Sequence, residues 1–200
     1  QGAQALYTGK SAQGIVDTVQ NATGNPGVLS MADLRQYTNK ARAAICAPYR
    51  GYEVCGMGPP SSGALSVGQI LGLLNPFDLA KLGATAPASW RLIGDASRLA
   101  FADRGRYMAD SDFVPMPTKG LLDPAYLASR SALLIRDTAL EELVAGNPPF
   151  DHALNLSSDD SLELPSTSHI SIVDRFGNAL SMTTTIENAF GSRLITPGGY

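Results

Sequence analysis

Hydroxyl-bearing residues surround a single histidine in the stretch STSHISIVDRFGNALSMTTT, residues 166–185. A serine or threonine hydroxyl is a weak nucleophile, so it needs a base within hydrogen-bond reach and donors that stabilise the developing oxyanion. Hydroxyl-rich strands can also be structural, because threonine suits a half-exposed pleated surface. The stretch therefore predicts either a nucleophile with its supporting groups or an ordinary polar hairpin.

A threonine can use its own α-amino group as the base, because the pKa of that group lies at about 8. The threonine must then become a chain terminus, so a loop that can be cut just ahead of it is the expected precursor. Residues 145–165 are rich in proline, serine and acidic residues, which predicts a solvated linker. Thr167 follows this linker at the start of a predicted strand.

The elements that would position this site predict a mixed α/β (α+β) fold. Helices are predicted from a cap at Ser11, from a capping box at Ser30, and over about 62–74, 86–107 and 124–133. Strands are predicted over about 41–48, 52–57, 168–174 and 179–186, with a turn inside each pair.

Composition excludes several classes of function. The chain has 200 residues, 44% of them hydrophobic, so it can bury a substantial core. A net charge of −3 argues against a nucleic-acid surface, and no apolar run approaches the length of about 18 residues that spans a membrane. Two cysteines and two scattered histidines argue against a metal site, and we expect no cofactor.

The sequence resembles the gamma-glutamyltransferase (glutathione hydrolase) family of N-terminal-nucleophile hydrolases in four stretches that follow the family's order. They are GVLSMADLRQY, YRGYEVCGMGPPSSGA, DASRLAFADRGRYMADSDFVPMP and STSHISIVDRFGNALSMTTTIENAFGS. The resemblance implies an internal fragment of an αββα sandwich. Residues 1–144 would be the C-terminal part of the large-subunit region, 145–166 the linker, and 167–200 the start of the small subunit.

The resemblance also implies an activity. The precursor would cut itself between Ser166 and Thr167, and Thr167 would then carry γ-glutamyl groups from glutathione and related compounds to water or to an amino acid. Both subunits would come from one precursor, exported to the periplasm or the cell exterior, with no cofactor. Two alternatives remain open: a cephalosporin or glutaryl acylase of the same fold, and a non-catalytic binding fragment that is never processed.

Other residues are assigned roles by the same resemblance, each beside a plainer interpretation. Thr185 matches a threonine that supports catalysis near the new amino terminus, or it is simply packed. Glu187 stands where many relatives carry an asparagine that holds the substrate's α-amino group; a carboxylate can also pair with an ammonium, but the difference leaves the acyl preference open. His169 is expected to be a structural hydrogen-bonding residue rather than a base, and His152 is expected to be solvated.

Several functional groups of the family fall beyond the sequence. These are an upstream arginine for the substrate carboxylate, and the serine and glycine pairs that follow Tyr200 in the family. We therefore expect the 200-residue chain alone to remain uncut and inactive, because donors and walls that would press Thr167 against the preceding carbonyl are missing. The serines at 61–62 suggest a second nucleophile, but a tight turn with a helix cap explains them better.

Cys46 and Cys55 face each other if Arg50-Gly51 is the turn of the first hairpin. Cross-strand neighbours stand close enough for a disulfide only in favourable pairs. An exported protein would meet an oxidising environment, which favours the bond. The sequence leaves a disulfide and two buried thiols as alternatives.

Overall fold

The computed structural model describes residues 2–151, 167–186, 188 and 190–200. The described elements confirm the predicted mixture of helix and strand. In chain order they are α1 (Gln4–Thr8), α2 (Lys10–Gln20), α3 (Met31–Gln36), β1 (Ala44–Tyr49), β2 (Tyr52–Met57), α4 (Gly63–Leu74), α5 (Leu79–Leu82), α6 (Pro87–Tyr107), α7 (Thr118–Leu121), α8 (Pro124–Ser131), a 3-10 turn (Ala132–Leu134), β3 (Thr167–Val173) and β4 (Ala179–Thr185).

The chain forms two compact units, one made of Gln1–Lys40 with Ser161–Tyr200 and the other of Ala41–Asp160. The first contains α1 to α3 and the β3–β4 hairpin, and the second contains every other described element. The predicted subunit regions concern processing rather than packing, so they remain a prediction.

Helix starts in the first unit were predicted with mixed success. The capping box is confirmed, because the Ser30 side chain accepts from the Asp33 backbone and the Asp33 carboxylate accepts from the Ser30 backbone at 2.8 Å. The cap predicted at Ser11 is wrong: α2 begins at Lys10, and Gly9 is its N-terminal flanking residue. Gly9 has an extended backbone and is the single residue between α1 and α2. Ser11 is therefore already inside α2 and cannot cap its start.

The β1–β2 hairpin is antiparallel, and its register confirms that Cys46 lies opposite Cys55. The Cα atoms of the two cysteines are 4.0 Å apart and their Sγ atoms are joined in a disulfide. Arg50 and Gly51 form the turn with φ angles of 48° and 85°, the left-handed region that two-residue hairpin loops require.

Helices α4 and α6 form the hydrophobic centre of the second unit. Its buried members are Leu73, Leu74, Leu92, Ala96, Leu99, Leu134 and Leu140. Each fully buried leucine contributes about 2 kcal/mol of transfer free energy. Pro87 occupies the first turn of α6, as predicted, because its missing N–H has no partner to lose there.

Boundaries in this unit differ slightly from the predicted ones. α8 ends at Ser131 and a 3-10 turn continues to Leu134, where a single helix to 133 was predicted. Four-residue α5 and α7 were not predicted, since one turn is too short to show a helical period. None of the helices in the described ranges is long and apolar enough to cross a membrane.

The disulfide leads to a prediction. Replacing both Cys46 and Cys55 by serine should lower the free energy of unfolding by roughly 2–3 kcal/mol, because the bond restricts a short loop in the unfolded chain. Denaturant unfolding of the unreduced protein measures this loss, and the serine variant should lose its response to reductant. Two alkylatable thiols in the unreduced protein would contradict the bond.

Candidate active site

The β3–β4 hairpin carries both predicted catalytic threonines. Its strands are antiparallel, and the register pairs Thr167 with Thr185 and His169 with Thr183. The first residue of β3 therefore lies directly opposite the last residue of β4. Thr167 occupies the start of the strand, as the sequence predicted.

The turn at 174–178 fixes this register. The Asp174 carboxylate accepts hydrogen bonds from the backbone N–H groups of Phe176 and Asn178, at 2.8 and 2.9 Å, and from the Asn178 side-chain amide at 2.8 Å. These bonds, chiefly the one from the Asn178 side chain, hold the pKa of Asp174 below its ordinary value. The backbone N–H of Asp174 donates to the carbonyl of Asn178, which leaves residues 175–177 as the loop of the hairpin. Its last residue, Gly177, has a φ of 84°, the left-handed conformation that suits a three-residue hairpin loop.

The hairpin has one hydroxyl-rich face and one largely apolar face, because successive side chains in a strand point to opposite sides. The face that contains Thr167 is made by Thr167, His169, Ser171, Val173, Ala179, Ser181, Thr183 and Thr185. The other face is made by Ser168, Ile170, Ile172, Leu180, Met182 and Thr184. The strand residues of both faces are exposed in the described part of the chain.

His169 is hydrogen-bonded to hydroxyl groups at both ring nitrogens. Nδ1 lies 2.8 Å from Thr183 Oγ1, and Nε2 lies 3.1 Å from Ser171 Oγ and 3.2 Å from Ser181 Oγ. This arrangement fits the expected structural role, because the ring ties β3 to β4. The bonds from His169 to these three hydroxyl groups were not predicted, although the alternation of residues 169, 171, 181 and 183 along two paired strands could have indicated them.

Three of the predicted residues lie outside the described residues: Ser166, Glu187 and His152. The hairpin brings Thr167 and Thr185 together, while the roles assigned to Thr167, Thr185, Glu187 and the Ser166–Thr167 bond stay predictions. No group of three histidine, cysteine or acidic side chains within the described ranges is arranged to hold a metal ion.

The serines before α4 have structural partners. Ser61 Oγ accepts from the backbone N–H of Gly63 at 3.3 Å, and Ser62 Oγ accepts from Arg104 Nε at 3.0 Å. Ser62, which flanks the start of α4, makes no capping hydrogen bond, whereas Ser61 binds the first N–H of that helix. These contacts join the turn to α6 and favour a structural role.

The hairpin places the hydroxyl-bearing Thr167 at the start of β3, opposite Thr185 on β4. The hydrogen-bonded imidazole of His169 follows two residues later in the sequence. The nitrogen of Thr167 is an amide while the chain is continuous, and it becomes an amine only when the preceding peptide bond is cut. A strand holds Thr167 in place, and Thr185 faces it across the hairpin.

Known proteins resemble this chain over nearly its whole length. The family model for gamma-glutamyltranspeptidase matches residues 1–199. The glutathione hydrolase proenzyme of Bacillus subtilis subsp. natto is 33% identical over 98% of this chain and 34% of its own length. An acylase ACY 1 proenzyme from a Pseudomonas species is 35% identical over 99% of this chain and 33% of its own length.

A solved structure gives the same result. Helicobacter pylori gamma-glutamyltranspeptidase superimposes with a TM-score of 0.68 and 34% identity, covering 72% of this chain and 41% of that chain. The present chain spans about a third of the length of the curated relatives it matches. With a match over nearly all of its residues, the chain belongs to the gamma-glutamyltranspeptidase family.

Proposed function

We propose that the whole protein transfers or hydrolyses γ-glutamyl groups of glutathione and related compounds, using Thr167 as a nucleophile that self-cleavage exposes. The observation that carries this proposal is the position of Thr167, first in β3 and opposite Thr185. Family membership over residues 1–199 supports it.

Self-cleavage would begin at the hydroxyl of Thr167. Its oxygen attacks the carbonyl carbon of Ser166 as the hydroxyl loses its proton, and the C–N bond breaks as the Thr167 nitrogen takes up that proton. Water then hydrolyses the resulting ester, which leaves a carboxylate on Ser166 and a free α-amine on Thr167. The upstream and downstream parts become the large and small subunits of one precursor.

The freed amine would then act as the base. It takes the proton from the Thr167 hydroxyl while the oxygen attacks the γ-glutamyl carbonyl, and it returns that proton to the departing amine of the substrate. A γ-glutamyl ester forms on Thr167, and water or an amino acid attacks it to release the product. Thr185, across the strand pair, would support the nucleophile, and Glu187 would bind the substrate's ammonium group.

A second candidate is an acylase that acts on a different acyl chain through the same nucleophile. The 35% identity to an acylase ACY 1 proenzyme, similar to the identity with glutathione hydrolases, favours keeping it. Glu187 bears on this choice, because a glutaryl group has no ammonium for a carboxylate to pair with.

Export to the periplasm or the cell exterior is part of the proposal. The Cys46–Cys55 disulfide supports it, because such bonds persist mainly in oxidising compartments.

The nucleophile can be tested by Thr167→Ala in the full-length precursor. The variant should remain one polypeptide and lose activity by roughly 10⁴-fold or more, because both steps need the hydroxyl oxygen. A denaturing gel and a γ-glutamyl-p-nitroanilide assay measure the two effects. Thr184→Ala, on the opposite face of the hairpin, should be cut and active; two bands from Thr167→Ala would indicate an outside protease.

The acyl preference can be tested by giving the full-length enzyme γ-glutamyl-p-nitroanilide and a glutaryl-aminocephalosporanic acid side by side. The γ-glutamyl substrate should be preferred. Glu187→Gln should then raise the KM for the γ-glutamyl substrate about tenfold, because a charge-assisted hydrogen bond to the substrate is lost. The KM for the glutaryl substrate should change much less. Preference for the glutaryl compound would favour the acylase, and activity on neither would favour a non-catalytic protein.

A further inference from the structure

The chain that follows the 3-10 turn has neither helix nor strand from residue 135 to 151. Backbone N–H and C=O groups that lack secondary-structure partners need other ones when they lie against a core. Side chains of α6 and α8 supply them here at Leu134, Leu140, Val144 and Gly146, and we call residues 134–146 the anchored segment. These contacts hold the chain that leads into the proposed cleavage linker and include its second residue, Gly146, so the linker predicted from residue 145 is not solvated from its start.

The first half of the anchored segment is held by Asp95, a residue of α6 that is 2% exposed. Its Oδ2 accepts from the backbone N–H of Leu140 at 3.1 Å, and Arg98 Nη1 donates to the Leu140 carbonyl at 2.9 Å. Arg98 also pairs with Asp95 at 3.2 Å. The Asp95 carboxylate and the Arg98 guanidinium, both on α6, thus satisfy the N–H and the C=O of Leu140.

The second half is held in a similar way by Asp103, which is 1% exposed and lies two turns further along α6. Its Oδ1 accepts from the backbone N–H of Gly146 at 2.8 Å, and the Tyr107 hydroxyl donates to the Gly146 carbonyl at 2.6 Å. Arg130 of α8 donates to the Val144 carbonyl at 2.8 Å and lies 3.5 Å from Asp103. Both backbone groups of Gly146 are therefore bound to α6.

Further donors fix Asp103 itself. Its Oδ2 accepts from Gln69 Nε2 at 2.8 Å and from the Tyr126 hydroxyl at 2.6 Å. Burial, and then the hydrogen bond to Asp103, raise the pKa of Tyr126 above its ordinary value, so its hydroxyl stays a donor. A buried carboxylate with this many donors is stable in its place, whereas the same carboxylate unpaired would be costly.

Packing also explains which residue types occupy three positions of the anchored segment. Leu134 and Leu140 belong to the buried core cluster. A Cβ atom at position 146 would collide with the ring and hydroxyl of Tyr126, so glycine allows the backbone to lie this close to α8.

We propose that Asp95, Asp103 and Tyr107 are positioning residues that retain the anchored segment on α6 once the chain is cut. The retention role rests on the proposed self-cleavage. Cutting turns an internal segment into one near a chain end, where chains fray unless they are held. The two carboxylates bind the chain at Leu140 and Gly146, and Gly146 lies 20 residues before the new end at Ser166.

Hydrogen exchange of the full-length protein, followed by mass spectrometry, tests this proposal. Tyr107→Phe removes only the hydroxyl that binds Gly146, and Gly146→Ala pushes the segment away from Tyr126. Both should speed exchange over residues 138–147 about tenfold in the cut enzyme, as expected for one lost buried hydrogen bond. Both should speed it less in the uncut Thr167→Ala background.

Matched controls are Tyr52→Phe, which removes an exposed hydroxyl, and Gly94→Ala, where an added Cβ meets nothing within 4 Å. Neither should change exchange over residues 138–147. Unchanged exchange in both test variants, or an equal rise in the controls, would overturn the anchoring. An equal rise in cut and uncut protein would overturn retention after cleavage as the role of these contacts.

The gel separates this proposal from the proposed function. A single band from the wild type would contradict self-cleavage and the retention role with it, while faster exchange in the uncut variants would still support the anchoring contacts. Two bands with unchanged exchange would leave self-cleavage standing and contradict the anchoring alone.

Discussion

The register of the β3–β4 hairpin is the constraint on which the proposed site depends. Side chains alternate between the two faces, so a slip of one residue would move Thr167 and His169 to the apolar face. The Asp174 carboxylate prevents that slip by binding three donors across the turn. His169 adds hydrogen bonds to both strands, and the result is that Thr167 and Thr185 stand opposite each other.

In the second unit, buried carboxylates bind the backbone of a segment that has no secondary structure. α6 places Asp95 and Asp103 where an ordinary amphipathic helix would carry apolar residues, and both carboxylates accept from the backbone of an irregular segment. A non-helical, non-strand stretch can lie against a core only if its polar groups find such partners. One helix therefore supports the hydrophobic centre and fastens the chain that leads away from it.

Much of this could be predicted from the sequence, and the failures have physical causes. Local rules predicted the capping box at Ser30, the proline at the start of α6 and the pairing of Cys46 with Cys55, because each depends on neighbouring residues. The buried role of Asp103 could not be predicted, since its partners at positions 69, 126 and 146 are far away in the chain. Glu187 and Ser166 depend on resemblance alone.

The central claim is that Thr167 carries the acyl group after it becomes a chain terminus. Acid quenching of the full-length enzyme during turnover of a γ-glutamyl substrate, followed by peptide mapping with mass spectrometry, tests it most directly. We expect a peptide that begins at Thr167 and carries one γ-glutamyl group in ester linkage. A downstream subunit that begins at another residue, or an acyl group on a different side chain, would contradict it.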